Sequence, residues 1–167
     1  MPEQTRGIQF WVAVLILVAT VVVSVFTYDR RLDLHFRLGP ELVHHWMTWV
    51  GTVFIGVFTP AYRLLKRRYR SRYSLLLNIH TYGNLVAFLL ISVHFAQQIG
   101  RPAEFFPDLG TGLALYITVS LLVITGFLQR FRLAQRVAGY QRSIHVGTTM
   151  AFYIVIVIHI LQGLGVL

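Results

Sequence analysis

The 167-residue chain has no cysteine. That excludes disulfides, iron–sulfur clusters, thiolate zinc sites and thioether-attached haem. Charge is scarce as well. Charged residues make up 13% of the chain, against 56% that are hydrophobic. A soluble domain carries about a quarter charged residues. Acids are the rarest of all: six Asp and Glu stand against fifteen Lys and Arg, for a net charge of +9. Such an excess of base would suit a nucleic-acid binder, but the basic residues are bunched in short loops beside long apolar runs. Positive-inside membrane topology accounts for them better. No G-x-G-x-x-G element is present, so no dinucleotide-binding fold is expected within the chain.

The apolar runs themselves predict an all-α integral membrane bundle of five transmembrane helices forming a single domain over residues 1–167. The expected spans are about 8–27, 42–65, 74–97, 110–128 and 143–164. At about 1.5 Å rise per residue each crosses a hydrocarbon core of about 30 Å. Backbone polar groups in lipid must be satisfied within the segment, and strict apolar/polar alternation is missing, so helices rather than a barrel are expected. Met1–Arg6 is a short polar leader before a run longer than a signal-peptide core, which predicts a retained first helix. Pro60 lies near the end of the second span and predicts a kink or an end to its apolar part. Trp46 and Trp49 open that span as an interfacial belt.

Orientation follows from the loops. Residues 62–73 carry six basic side chains and no acid, and residues 129–142 carry four and none. With Arg6 and Glu3, that side has eleven basic residues against one acid, and the opposite side has four against five. The chain is therefore expected in the cell membrane with a cytoplasmic N-terminus and an outside C-terminus.

Four histidines break the apolar runs. His80 and His94 stand fourteen apart in the third span, and His145 and His159 stand fourteen apart in the fifth. Fourteen residues of α-helix advance about 21 Å and return within about 40° of the starting direction, so each pair shares a face. The third and fifth spans run the same way across the membrane. His80 then lies at the depth of His145, and His94 at the depth of His159. Two levels of facing imidazoles make a double clamp for two six-coordinate haems of the b type, held without covalent attachment. A lone intramembrane histidine is more often a hydrogen-bonding group or a proton relay. Two pairs of identical spacing on parallel helices favour haem. A non-haem metal is the weaker reading, because no intramembrane Asp or Glu completes a mixed site.

Neighbouring residues suit the clamp. Gly83 and Ala87 lie on the histidine face of the third span, where small residues admit a macrocycle or simply a packed helix. Thr148 and Thr149 flank the stripe of the fifth span. Phe152 sits midway between its histidines and is expected to be a core residue. Arg142 is the first candidate partner for an inner propionate, with Arg72 second; Gln162 and Arg101 are the outer candidates. His44 and His45 read as interfacial residues, with a border of an acceptor or quinone pocket as the other reading. His35 carries no signal.

The arrangement resembles the ferric-reductase-like transmembrane domain. His80, His94, His145 and His159 carry the resemblance, together with the basic loop before each histidine span. It implies inner and outer b haems passing electrons outward. The family usually has a sixth span and often a flavin- and nicotinamide-binding domain. Here neither follows residue 167, so the expected donor is a partner protein or a membrane quinol, with an acceptor on the outer side. The cytochrome b of quinol-oxidising respiratory complexes is similar in its fourteen-residue histidine spacing, and the chain also resembles small dihaem cytochrome subunits attached to dehydrogenases. The expected function is transmembrane electron transfer. A quinol-oxidising subunit and a haem-free histidine-relay transporter or channel are the alternatives. Homo- and hetero-oligomers are both compatible with the sequence, and no nucleic-acid partner is expected.

Overall fold

The computed structural model describes residues 3–32, 34, 36–105 and 109–167. They are helical almost throughout. The elements are α1 (Glu3–Tyr28), a short hairpin of β1 (Arg37–Leu38) and β2 (Glu41–Leu42), α2 (Val43–Val53), α3 (Thr59–Arg68), α4 (Tyr73–Ile99), α5 (Gly110–Phe131) and α6 (Ala138–Gly163). Four stretches are long and apolar enough to cross a membrane: Gly7–Tyr28 within α1, and Arg70–Ile99, Gly110–Phe131 and Gln135–Gly163, which contain α4, α5 and α6.

The second expected span is a broken rod. A π-helical turn, Phe54–Phe58, joins α2 to α3. Pro60 sits in the first turn of α3. Proline offers no N–H and clashes with the carbonyl four residues back, here that of Gly56, inside the π turn. The distortion therefore lies upstream of the proline that causes it. Lys66, Arg67 and Arg68 fill the last turn of α3, so the rod ends in cations beside the free carbonyls of its C-terminus.

The chain divides into two compact units, residues 1–107 and 108–167. In the first, α4 is the central helix, and α1 and α2 each pack on it. The face of α1 toward the interior is small: Ala13, Thr20 and Thr27 are all but fully buried. Each threonine hydroxyl donates to the carbonyl four residues earlier, Ile16 and Val23 respectively, so burial leaves it satisfied. Trp11, Leu15, Val18, Val22 and Val25 are exposed on other faces. In a membrane span such a stripe meets lipid at no cost. Tyr82 of α4 donates its hydroxyl to Gln9 O at 3.0 Å, and Arg30 donates through Nε and Nη2 to Gly100 O. These two contacts tie α1 to α4 at both ends. On the other side Gly51 of α2 lies against α4 so closely that an added Cβ would be 2.9 Å from Ala87 O.

The β hairpin pairs Arg37 with Leu42 and Leu38 with Glu41. Its two-residue turn is Gly39–Pro40, with Gly39 at φ +69°. Such a turn asks for glycine first, and proline supplies the fixed negative φ that follows. Trp46 donates Nε1–H to Leu38 O at 2.8 Å, which fastens the hairpin to the first turn of α2. The second unit is a helical hairpin in which α5 and α6 pack against each other.

Candidate functional site

In the second unit, each histidine of α6 meets a Thr–Gly pair of α5. Thr125 Oγ1 lies 2.9 Å from His145 Nδ1. The same hydroxyl donates to the carbonyl of Leu121 at 2.7 Å. Its one hydrogen is thus committed, and the oxygen accepts from the ring. His145 therefore carries its proton on Nδ1 and presents Nε2 as the lone-pair nitrogen. One repeat further along, Thr111 Oγ1 lies 3.1 Å from His159 Nδ1 and donates to Gln162 Oε1 at 2.5 Å. His159 Nδ1 thus meets a threonine hydroxyl, as His145 Nδ1 does. The glycine after each threonine makes room: a Cβ on Gly126 or on Gly112 would stand 3.3 Å from Cε1 of His145 or His159. Metal-bound histidines almost always donate the other ring N–H to a fixed acceptor. His145 is prepared in this way.

Thr111–Gly112 and Thr125–Gly126 are fourteen residues apart, matching the histidine spacing on α6. Because the hairpin is antiparallel, the first Thr–Gly pair meets the second histidine. That repeat was the available sequence signal for these partners, and histidine spacing alone misses it. Other α6 residues take structural parts. Phe152 is 2% exposed, a core residue as expected. Thr149 donates to His145 O at 2.6 Å. Gln162 receives the Thr111 hydroxyl, and Arg142 is exposed.

In the first unit, His80 stacks on Tyr62 of α3, with ring centroids 4.4 Å apart and planes within 8°. The amide of Asn84 lies 3.1 Å from His80 Nδ1. The small residues of α4 are taken up by helix packing: the Phe54 ring fills the notch at Gly83, and Ala87 receives Gly51. Arg101, with Thr27, Arg30 and Gln97, lines a cavity of about 380 Å³ at the C-terminal end of α4.

His94 has company that the linear sequence hides. His44 and His45, at the start of α2, stand against it, and one ligand nitrogen from each of the three rings lies within 4.8 Å of the others. His44 is completely buried. His44 Nδ1 donates to Leu34 O at 3.3 Å, and His45 Nδ1 donates to Glu41 Oε2 at 2.9 Å. Among the described residues this is the one group of three or more His, Asp or Glu arranged to hold a metal ion. The expected interfacial role for His44 does not describe a fully buried ring. His35 lies outside the described residues.

These observations define a helical membrane-type chain with histidines whose ring nitrogens are set by named acceptors. No family model matches the chain, and neither a curated protein nor a solved structure is similar to it.

Proposed function

We propose that the chain is a dihaem b-type cytochrome of the cell membrane, moving electrons from a cytoplasmic-side protein or quinol to an acceptor on the outer side. The observation that carries this reading is the preparation of His145 and His159. Each has Nδ1 against a threonine hydroxyl and a glycine beside its ring, an arrangement that supports ligation through Nε2. A proton relay has no use for a histidine held in one tautomer, as His145 is, because relaying requires the ring to exchange its protonated nitrogen. Ligation of iron does.

On α6, His145 and His159 suit the group, each with a threonine hydroxyl at Nδ1 and a glycine beside its ring. His80 with His145 would hold one haem, and His94 with His159 the other. Bis-imidazole haem b would supply one-electron redox chemistry there. Thr125 and Thr111 orient their imidazoles and raise their basicity as ligands. Tyr62 holds the plane of His80 by stacking. Arg142, exposed on the basic side, is the proposed partner of an inner propionate. Gln162 acts through Thr111 on His159. The excess of basic residues in the loops supports a cytoplasmic N-terminus.

The test is a reduced-minus-oxidised spectrum of the purified chain with a haem-to-protein ratio. Two low-spin b haems, both removed by acid acetone, are expected. A ratio of one or zero, or haem that stays with the protein, refutes the reading.

A further inference from the structure

We infer that His44, His45 and His94 form a site for one divalent transition-metal ion of the zinc class, which competes with haem for His94. Neighbouring residues on a helix point about 100° apart and do not face each other. His44 and His45 nevertheless converge, because His94 of α4 lies in the angle between them. Its ring centroid is 5.6 Å from that of His44 and 5.7 Å from that of His45. The three ligand nitrogens lie within 4.8 Å of one another. Tetrahedral zinc with Zn–N of about 2.0–2.1 Å needs nitrogens about 3.3 Å apart. Each ring has to move by under about 1 Å to close the set, which side-chain rotation supplies.

The supporting groups are already set. A backbone carbonyl can only accept, so the contact to Leu34 O puts the His44 proton on Nδ1 and leaves Nε2 as the lone-pair nitrogen. The Glu41 carboxylate fixes His45 in the same tautomer. A carboxylate behind a metal-bound imidazole is a recurrent device for holding the ring and strengthening the ligand. The β hairpin, pinned by Trp46, holds Glu41 in place. Three neutral imidazoles suit zinc, copper, nickel or cobalt. They leave one position for water. The site lies within the first unit and shares only His94 with the haem reading. His94 cannot serve both groups through one nitrogen, so occupancy by the ion excludes the haem at that level.

The experiment titrates the full-length chain, purified in detergent, with Co²⁺ as a spectroscopic probe and Zn²⁺ as competitor. One Co²⁺ per chain, with the intense visible bands of tetrahedral coordination and displaced by zinc, is expected. His44→Ala, His45→Ala and His94→Ala should each weaken binding at least about tenfold, and Glu41→Gln about tenfold. His45 and Glu41 are partly exposed, so their variants keep the test open if the buried His44 variant fails to fold. Zinc present during haem loading should lower the haem that depends on His94 and spare the one that depends on His80. Absence of bound cobalt, or binding indifferent to both His45→Ala and Glu41→Gln, overturns the site. Haem loading indifferent to zinc overturns the competition. A chain that binds cobalt through these three residues yet takes up no haem upholds this inference and refutes the dihaem reading.

Discussion

Replacing Thr125 by valine keeps the shape of the side chain and removes the acceptor for His145 Nδ1–H, now 2.9 Å away. A neutral hydrogen bond contributes a net of about 1 kcal/mol, and a buried donor left without a partner costs about 1–3 kcal/mol. Iron bound at Nε2 makes the ring N–H more acidic, and ferric iron does so more than ferrous. Under the proposed dihaem function the Thr125 bond would therefore favour the oxidised state, and its loss should raise the midpoint potential. If the whole of about 1 kcal/mol were differential between the two states, the shift would be about 40 mV, since about 1.4 kcal/mol corresponds to about 59 mV for a one-electron couple. Ligand affinity should fall about ten- to hundredfold, as for other loosened supporting partners. The assay is a potentiometric titration with haem quantified per chain, run on Thr125→Val and Thr125→Ser side by side. Serine keeps the hydroxyl and should titrate close to the wild type. The valine variant should shift only the haem that depends on His145. A valine variant that matches serine, or one that shifts the His159-dependent haem instead, refutes the reasoning.

Other variants probe the remaining links. His80→Ala and His145→Ala should share one spectral and redox phenotype, and His94→Ala and His159→Ala another, read by electron paramagnetic resonance. A pairing of His80 with His159 would overturn the expectation that the third and fifth spans run the same way. Gly51→Val should loosen α2 from α4 at a cost of about 1–3 kcal/mol, because its first added carbon meets Ala87 O at 2.9 Å; thermal melting in detergent measures it, and an unchanged melt contradicts the packing. Reporter fusions after residues 70 and 135 should report cytoplasm, and one after residue 104 the outside; the reverse pattern overturns the orientation.

Much of the helical architecture was legible in the sequence, because an apolar run of twenty residues has few ways to satisfy its backbone. Helices α1, α4, α5 and α6 match four expected spans. The second span was legible only in part. Pro60 announced a distortion, but a proline acts on the carbonyl behind it, so the π turn begins at Phe54. Gly83 and Ala87 lie on the face that spacing assigned them, and spacing could not tell that Phe54 and Gly51 come against them. The same limit hid the partners of the histidines. Periodicity says which way a side chain points along its own helix and nothing of what stands opposite. His44 and His94 are fifty residues apart, and only the fold of the first unit brings them together. The Thr–Gly repeat on α5 was in plain view, but its meaning depended on the hairpin running antiparallel.

Ala13, Thr20 and Thr27 recur every seven residues along the buried side of α1, and this makes the helix intolerant of changes in count rather than of changes in kind. One residue inserted between Thr20 and Thr27 turns everything beyond it by about 100° and advances it by about 1.5 Å. Thr27 would leave the seam, a bulkier neighbour would press on α4, and Arg30 would be carried away from Gly100. The same insertion before Ala13 leaves all three in place and disturbs only the approach of Gln9 to Tyr82. The first helix thus works as a ruler whose zero is at Ala13, able to vary in length toward the N-terminus and fixed in length toward the hairpin that follows.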